Sequence, residues 1–427
     1  MGEGKLGFWS VFSIGVGGMI GGGIFAVLGL AVQLAKGGTP IAFALAGIIA
    51  FVTSYSYAKL SLTYPCQGGT VESLNQAFGT GIFTGSLNIL LWLSYIVILS
   101  LYSYAFGSYA ASFFGSSVFF KHVFITGIII LITILNLLSS KVVGEAEEGI
   151  VAFKVAILFL FVITGLWSVK VNRFMPSEWA YPIQLILGGM IIFLAYEGFE
   201  LIANTAADVD NPKRLPLAYY TAVGFVIFTY IMVAIITVGN LPYDQIVQAK
   251  DYALAAAAKP FLGSMGFVLI AIAALLSTTS AINATLYGSA RVSYIIAKDG
   301  ELPEILERKV WNKPIEGLLI TSVMTLLMAN FLNLSSISTM GSAGFLLIFA
   351  SVNLANMKLY SKTRSNRVIP LIGALMCVVA LSVLVVQTTM LDPGNLLILV
   401  IMVGVSFVIE FVYRIFSKRK IQTSFRN

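Results

Sequence analysis

The chain has 427 residues, 58% of them hydrophobic and only 11% charged, with a mean hydropathy of +0.92. Soluble domains carry about 25% charged residues, so the composition excludes a chain solvated by water alone and makes lipid the solvent for much of it. The net charge of +7 could suggest nucleic acid, but the placement of the basic residues excludes that partner and instead reports orientation in a membrane.

Twelve apolar segments follow one another, at roughly 9–33, 40–63, 82–112, 122–140, 148–168, 182–206, 215–239, 261–296, 317–333, 336–357, 368–390 and 395–416. They are continuous runs of about 20 residues, the length a helix needs to cross hydrocarbon, whereas a membrane barrel would show short alternating strands. The expected fold class is therefore an all-α polytopic membrane protein of one domain. The first segment reads as a span, since it lacks the small-residue cleavage site of a leader peptide. Between the seventh and eighth segments, residues 243–259 read as a short amphipathic helix outside the membrane. Residues 300–312 read as a helical loop inside.

An even number of spans puts both termini on one side. With that side taken as the cytoplasm, 19 Lys and Arg fall inside and 6 outside, and Lys154 alone lies within a span. This asymmetry supports the count of twelve and a plasma-membrane protein with cytoplasmic termini. The two cysteines, Cys66 and Cys377, form no disulfide or metal pattern, and one histidine, His122, leaves no histidine cluster or Ser-His triad. There is no nucleotide-binding P-loop. No catalysis, cofactor or metal is expected.

Two segments carry features that a plain span lacks. The first contains IGVGGMIGGGIF, with Gly17, Gly18 and the run Gly21, Gly22, Gly23. Glycine disfavours a helix interior, and unwound backbone inside a bilayer persists where it lines a cavity. Close helix packing through small residues is the other reading. The sixth segment contains FLAYEGFELIAN, with Glu197 and Glu200 flanking Gly198 at mid-span. Intramembrane carboxylates usually face an interior cavity, although an interhelical hydrogen bond would also account for them. Breaks in the first and sixth spans are the pattern of two inverted five-helix repeats meeting at a substrate site. Half-helix N-termini suit a carboxylate and unwound carbonyls suit an ammonium, so an amino acid zwitterion fits both.

IGGGIF at 20–25, GFE at 198–200 with DVDNPKRLP at 208–216, and AINATLYGSAR at 281–291 followed by AKDGELP at 297–303 resemble the amino acid–polyamine–organocation superfamily. The resemblance covers nearly the whole chain in order and is nearest to archaeal, proton-coupled, broad-specificity amino acid transporters. It implies a LeuT-type fold of 12 transmembrane helices, with inverted repeats over 1–170 and 182–360 and peripheral helices over 368–416. It implies that Gly22, Gly23 and Ile24 offer N–H groups to the substrate carboxylate. The carbonyls of Met19, Leu194 and Glu197 would meet its ammonium. Ile20, Gly21 and Ala195 complete the two breaks, and the substrate side chain would lie near Tyr196. Lys154 is six residues past Glu148, so it could snorkel toward the interface. The resemblance instead implies an ammonium that replaces sodium between the first and eighth helices, on the Gly17 carbonyl and the hydroxyls of Thr279 and Ser280. Desolvation disfavours the charged form of an amine, so such a lysine can exchange a proton and couple it to uptake. The hydroxyls of 277–280 could also simply bond back to their own helix. Glu197 departs from the broad-specificity pattern: it could favour a cationic substrate, titrate alongside Glu200 or bond to a neighbouring helix. The expected function is proton-coupled, sodium-independent amino acid uptake by alternating access. The alternative is exchange or facilitated diffusion of cationic amino acids or polyamines.

Overall fold

The computed structural model describes residues 5–66, 68–138, 142–307, 315–391 and 393–416. The fold is all-α and polytopic. Among the described residues, β pairing is limited to two isolated bridges, Leu6 with Val209 and Lys36 with Trp179. In chain order the helices are α1 Phe8–Met19, α2 Gly23–Ala35, α3 Thr39–Thr63, α4 Gly69–Phe78, α5 Ile82–Ser112, α6 Val118–Leu138, α7 Val142–Gly165 and α8 Pro182–Ile191. Two 3-10 stretches continue α8, Ile192–Tyr196 and Phe199–Asp208. Then come α9 Leu215–Asn240, α10 Tyr243–Gln248, α11 Ala253–Lys298, α12 Ile315–Phe331, α13 Leu334–Lys358, α14 Tyr360–Thr363, α15 Val368–Leu391 and α16 Pro393–Phe416.

Ten of the described helical stretches are long and apolar enough to cross a membrane, and the bent pair α1–α2 makes an eleventh. The 17-residue α12 falls where the ninth apolar segment was expected. Each of the twelve predicted segments therefore coincides with helix. α5, the α8–Asp208 span and α13 are almost wholly enclosed, whereas α6, α15 and α16 turn most of their surface outward. Those outer faces are apolar, with Leu131, Ile134 and Leu135 on α6 and Val400, Ile401 and Phe411 on α16 all exposed. An apolar perimeter around a polar-containing interior is what hydrocarbon solvent demands.

Some expectations need correction. Residues 243–259 are not one amphipathic helix: α10 ends at Gln248, Lys250–Tyr252 is a 3-10 turn, and α11 begins at Ala253. Ala253–Ala258 are all buried, so this run has no wet face. α11 then turns sharply at Gly263, whose φ of 65° glycine tolerates. The loop at 300–312 has a single 3-10 turn, Glu304–Glu307, among its described residues, and residues 308–312 lie outside the described residues. α4 was not anticipated, because its sequence GTVESLNQAF is too polar to read as a span.

The bundle has two distinguishable ends. At the near end, Leu6 pairs with the backbone after the sixth span, its N–H donating to Asp208 O at 2.8 Å and its carbonyl accepting from Asp210 N–H at 2.9 Å. At the far end, the Lys250 backbone packs so closely on Gly29 of α2 that no Cβ would fit there. Lys121 lies 3.6 Å from Asp251 and donates to the Tyr104 hydroxyl at 2.9 Å, which fastens that loop to α5 and α6.

Candidate functional site

The first break lies between α1 and α2. α1 stops at Met19, α2 restarts at Gly23, and the two axes differ by 44°. Ile20, Gly21 and Gly22 form the link, so the last carbonyls of α1 and the first N–H groups of α2 have no intrahelical partners. In the second break the 3-10 stretch ends at Tyr196, Glu197 is extended (φ −65°, ψ 148°), and Gly198 takes φ 120°, a conformation L side chains rarely adopt.

The two breaks touch. A Cβ on Gly18 would lie 2.8 Å from the Gly198 carbonyl oxygen, and one on Gly23 would lie 2.7 Å from Ala195 Cα. Gly21 would meet Ala281 at 2.8 Å, and Gly22 would strike the Tyr102 ring. The glycines thus serve both readings of the sequence: they interrupt the helix, and they bring backbone against backbone.

Polar groups from other helices converge on this contact. The Tyr230 hydroxyl on α9 lies 2.6 Å from Met19 O and 3.1 Å from Ala195 O, bridging the two breaks with one proton. The Ser277 hydroxyl on α11 reaches Ile20 O at 2.9 Å and also contacts Gly21 O. Leu194 N–H donates to the Ser342 hydroxyl at 3.1 Å, while the Leu194 carbonyl accepts from Glu197 N–H at 3.2 Å. The Tyr196 hydroxyl donates to Phe43 O at 2.9 Å, and its ring packs on Tyr230. Glu200 accepts the Gly198 N–H at 2.8 Å, and Tyr95 approaches its other oxygen at 3.5 Å. Glu197 is buried, with the Glu200 carboxyl and the Tyr102 hydroxyl beside it.

Lys154 lies on α7, fully buried, and its Nζ donates to the Gly17 carbonyl at 2.8 Å. Its ammonium therefore points into the bundle and does not snorkel out to the interface. Thr279 donates to Leu275 O at 2.7 Å, within its own helix. Ser280 lines a cavity of about 350 Å³. That cavity runs from Gly17 and Gly18 past Ser280 and Ala281 to Asn204, Asp208 and Arg291 at the near end.

Tyr230, Ser277 and Tyr102 were not singled out from the sequence. A tyrosine or serine inside an apolar span carries no local pattern that distinguishes a break-facing hydroxyl from a packed one. The serine-threonine run at 277–280 was a usable signal, yet the hydroxyl that reaches the break belongs to its first member.

The amino acid permease family matches residues 6–407. The chain is 41% identical to an uncharacterized protein of Methanocaldococcus jannaschii over 82% of both chains. It is 35% identical to the inner membrane transport protein YbaT of Escherichia coli over 88% of both. It is also 25% identical to the methylthioribose transporter of Bacillus subtilis over 85% of both. The breaks, the enclosed polar groups and the apolar perimeter agree with these likenesses. The chain is an integral multi-pass membrane protein that belongs to the amino acid permease family of the amino acid–polyamine–organocation superfamily, an amino acid transporter rather than an enzyme.

Proposed function

We propose that this transporter drives amino acid uptake with protons, without sodium, by alternating access across the plasma membrane, with both termini cytoplasmic. The observation that carries the reading is the buried Lys154 ammonium on the Gly17 carbonyl. A charged Lys154 holds α7 to the last turn of α1; once neutral it gives a weaker bond, and α1 is free to swing. The substrate zwitterion sits at the paired breaks, its carboxylate on the N–H groups of Gly22, Gly23 and Ile24. Its ammonium takes carbonyls among Met19, Leu194, Ala195 and Glu197, displacing the Tyr230 proton. Ile20 and Gly21 form the floor, and Tyr196 flanks the side chain. Thr279 and Ser280 stand on the α11 side of the proton site, and Glu200 stands at the second break on the Gly198 N–H. Helices within 1–170 and 182–360 act as inverted repeats, with 368–416 peripheral. The cavity reaching the first break from the near end, together with the fastened far end, supports a near-open state in which the near end is cytoplasmic.

Glu197 favours a second reading, exchange of cationic amino acids or polyamines, because its carboxyl is buried within the break itself. Several relatives in Arabidopsis thaliana are named cationic amino acid transporters. Uptake of a labelled amino acid and polyamine panel into proteoliposomes separates the readings. Accumulation that needs an inward proton gradient and ignores sodium supports the first. Counterflow of cations without any gradient supports the second. Sodium-dependent accumulation contradicts both.

A further inference from the structure

The near end holds a second buried acidic cluster, remote from the breaks. Asp299 and Glu301 follow α11, Glu410 and Arg414 lie on α16, Asn75 is on α4 and Asn88 on α5. All three carboxylates are at most 2% exposed. Asn88 Nδ2 donates to Glu301 Oε2 at 2.8 Å and to Asn75 Oδ1 at 3.3 Å, and Asn75 Nδ2 donates to Asp299 Oδ2 at 3.3 Å. Arg414 Nε donates to Glu410 Oε1 at 2.9 Å, and its Nη2 bonds to the same oxygen. Those donors leave three buried acceptors without a hydrogen bond: Glu301 Oε1, Glu410 Oε2 and Asn88 Oδ1. A cluster with three carboxylates, one guanidinium and three unpartnered acceptors is short of a donor, and a proton is the smallest ligand that supplies one.

We propose that Glu301, facing Glu410, is a proton-binding site separate from the substrate route, and that its proton seats α4 between this cluster and the wall of the near-end cavity. The charged groups facing Glu301 are Glu410 and Arg414 on α16 and Asp299 on its own loop, while α4 and α5 present the amides Asn75 and Asn88. Burial pushes the Glu301 carboxyl up to about 7; the Asn88 bond opposes this, Glu410 and Asp299 add to it, and Arg414 opposes it. The mechanical link is short. Asn75 lies in the cluster, and at the other end of α4 the Cα of Gly69 (φ 47°) is pressed against the Asn204 carboxamide, with no room for a Cβ. Asn204 lines the cavity.

The folded protein holds this proton more tightly than an unfolded chain, whose glutamate titrates near the ordinary 4.5. Stability from the bound proton is therefore full below about pH 4.5 and is lost as pH rises through about 7. The experiment is thermal unfolding of the purified full-length protein from about pH 6 to about pH 8, with infrared spectroscopy of protonated carboxyls over the same range. Both are made in a Lys154→Ala background, so failure of lysine coupling cannot be mistaken for failure here. We expect a carboxyl band that disappears near pH 7 together with a fall in Tm, and loss of both steps in Glu301→Gln. Persistence of the band and the Tm step in Glu301→Gln overturns the proposal. If that variant does not fold, absence of any carboxyl titrating near pH 7 in the Glu301-containing protein overturns it equally.

Discussion

Tyr230→Phe tests whether the two breaks are where substrate binds. The substitution keeps the ring and removes the one hydroxyl that bridges Met19 O and Ala195 O. A buried carbonyl left without its donor costs about 1–3 kcal/mol, so the empty protein loses stability by about that amount. If the substrate ammonium takes the same carbonyls, the native protein must first surrender the Tyr230 bond, whose net worth is about 0.5–1.5 kcal/mol. The variant has no such bond to lose. Its substrate Kd should therefore be tighter by about two- to tenfold. The rise in Tm at saturating substrate should also exceed that of the unsubstituted protein. Calorimetric titration and thermal unfolding with and without substrate read both. A loss of stability in the loaded protein equal to or larger than that in the empty protein, which is the same as an unchanged or weakened Kd, would refute substrate placement at these carbonyls.

Gly22→Val should abolish substrate binding while leaving an inserted protein, since its branched side chain would collide with the Tyr102 ring and the Thr278 methyl; equilibrium binding checks this, and normal affinity returns the glycines to packing alone. Glu197→Gln should lower uptake of lysine or arginine by about tenfold if its charge reads a cation, with alanine and leucine spared. Equal loss across the panel would assign the residue a structural role beside Tyr102 and Glu200 instead.

Much of this architecture was legible because hydrocarbon imposes a long apolar period on every span, and helix termini fall where that period stops. The breaks were legible for the opposite reason: a glycine run and a Glu-Gly-Phe-Glu stretch violate what a span should contain. Lys154 stood out by the same logic, as a basic residue that the sorting of charges to the two sides left inside a span. Its bond to Gly17 joins residues 137 apart in sequence, a pairing suggested by resemblance and not by local pattern. α4 was missed because polar helices between spans resemble loops. The run after Lys250 was misread because an alanine-rich segment looks the same whether half wet or fully packed, and packing over α2 decides which. Tyr230 was invisible for a related reason, since only the fold reveals which face of α9 meets the breaks.

The most direct test of the account is proton-driven uptake by Lys154→Ala in proteoliposomes, set beside substrate binding by the same preparation. Loss of the Nζ bond to Gly17 O removes a charge-assisted hydrogen bond worth about 1.5–3 kcal/mol, a loss a folded bundle of this size tolerates. The account predicts that the variant still binds substrate, while accumulation no longer responds to an inward proton gradient. Gradient-driven accumulation equal to that of the unsubstituted protein would contradict it.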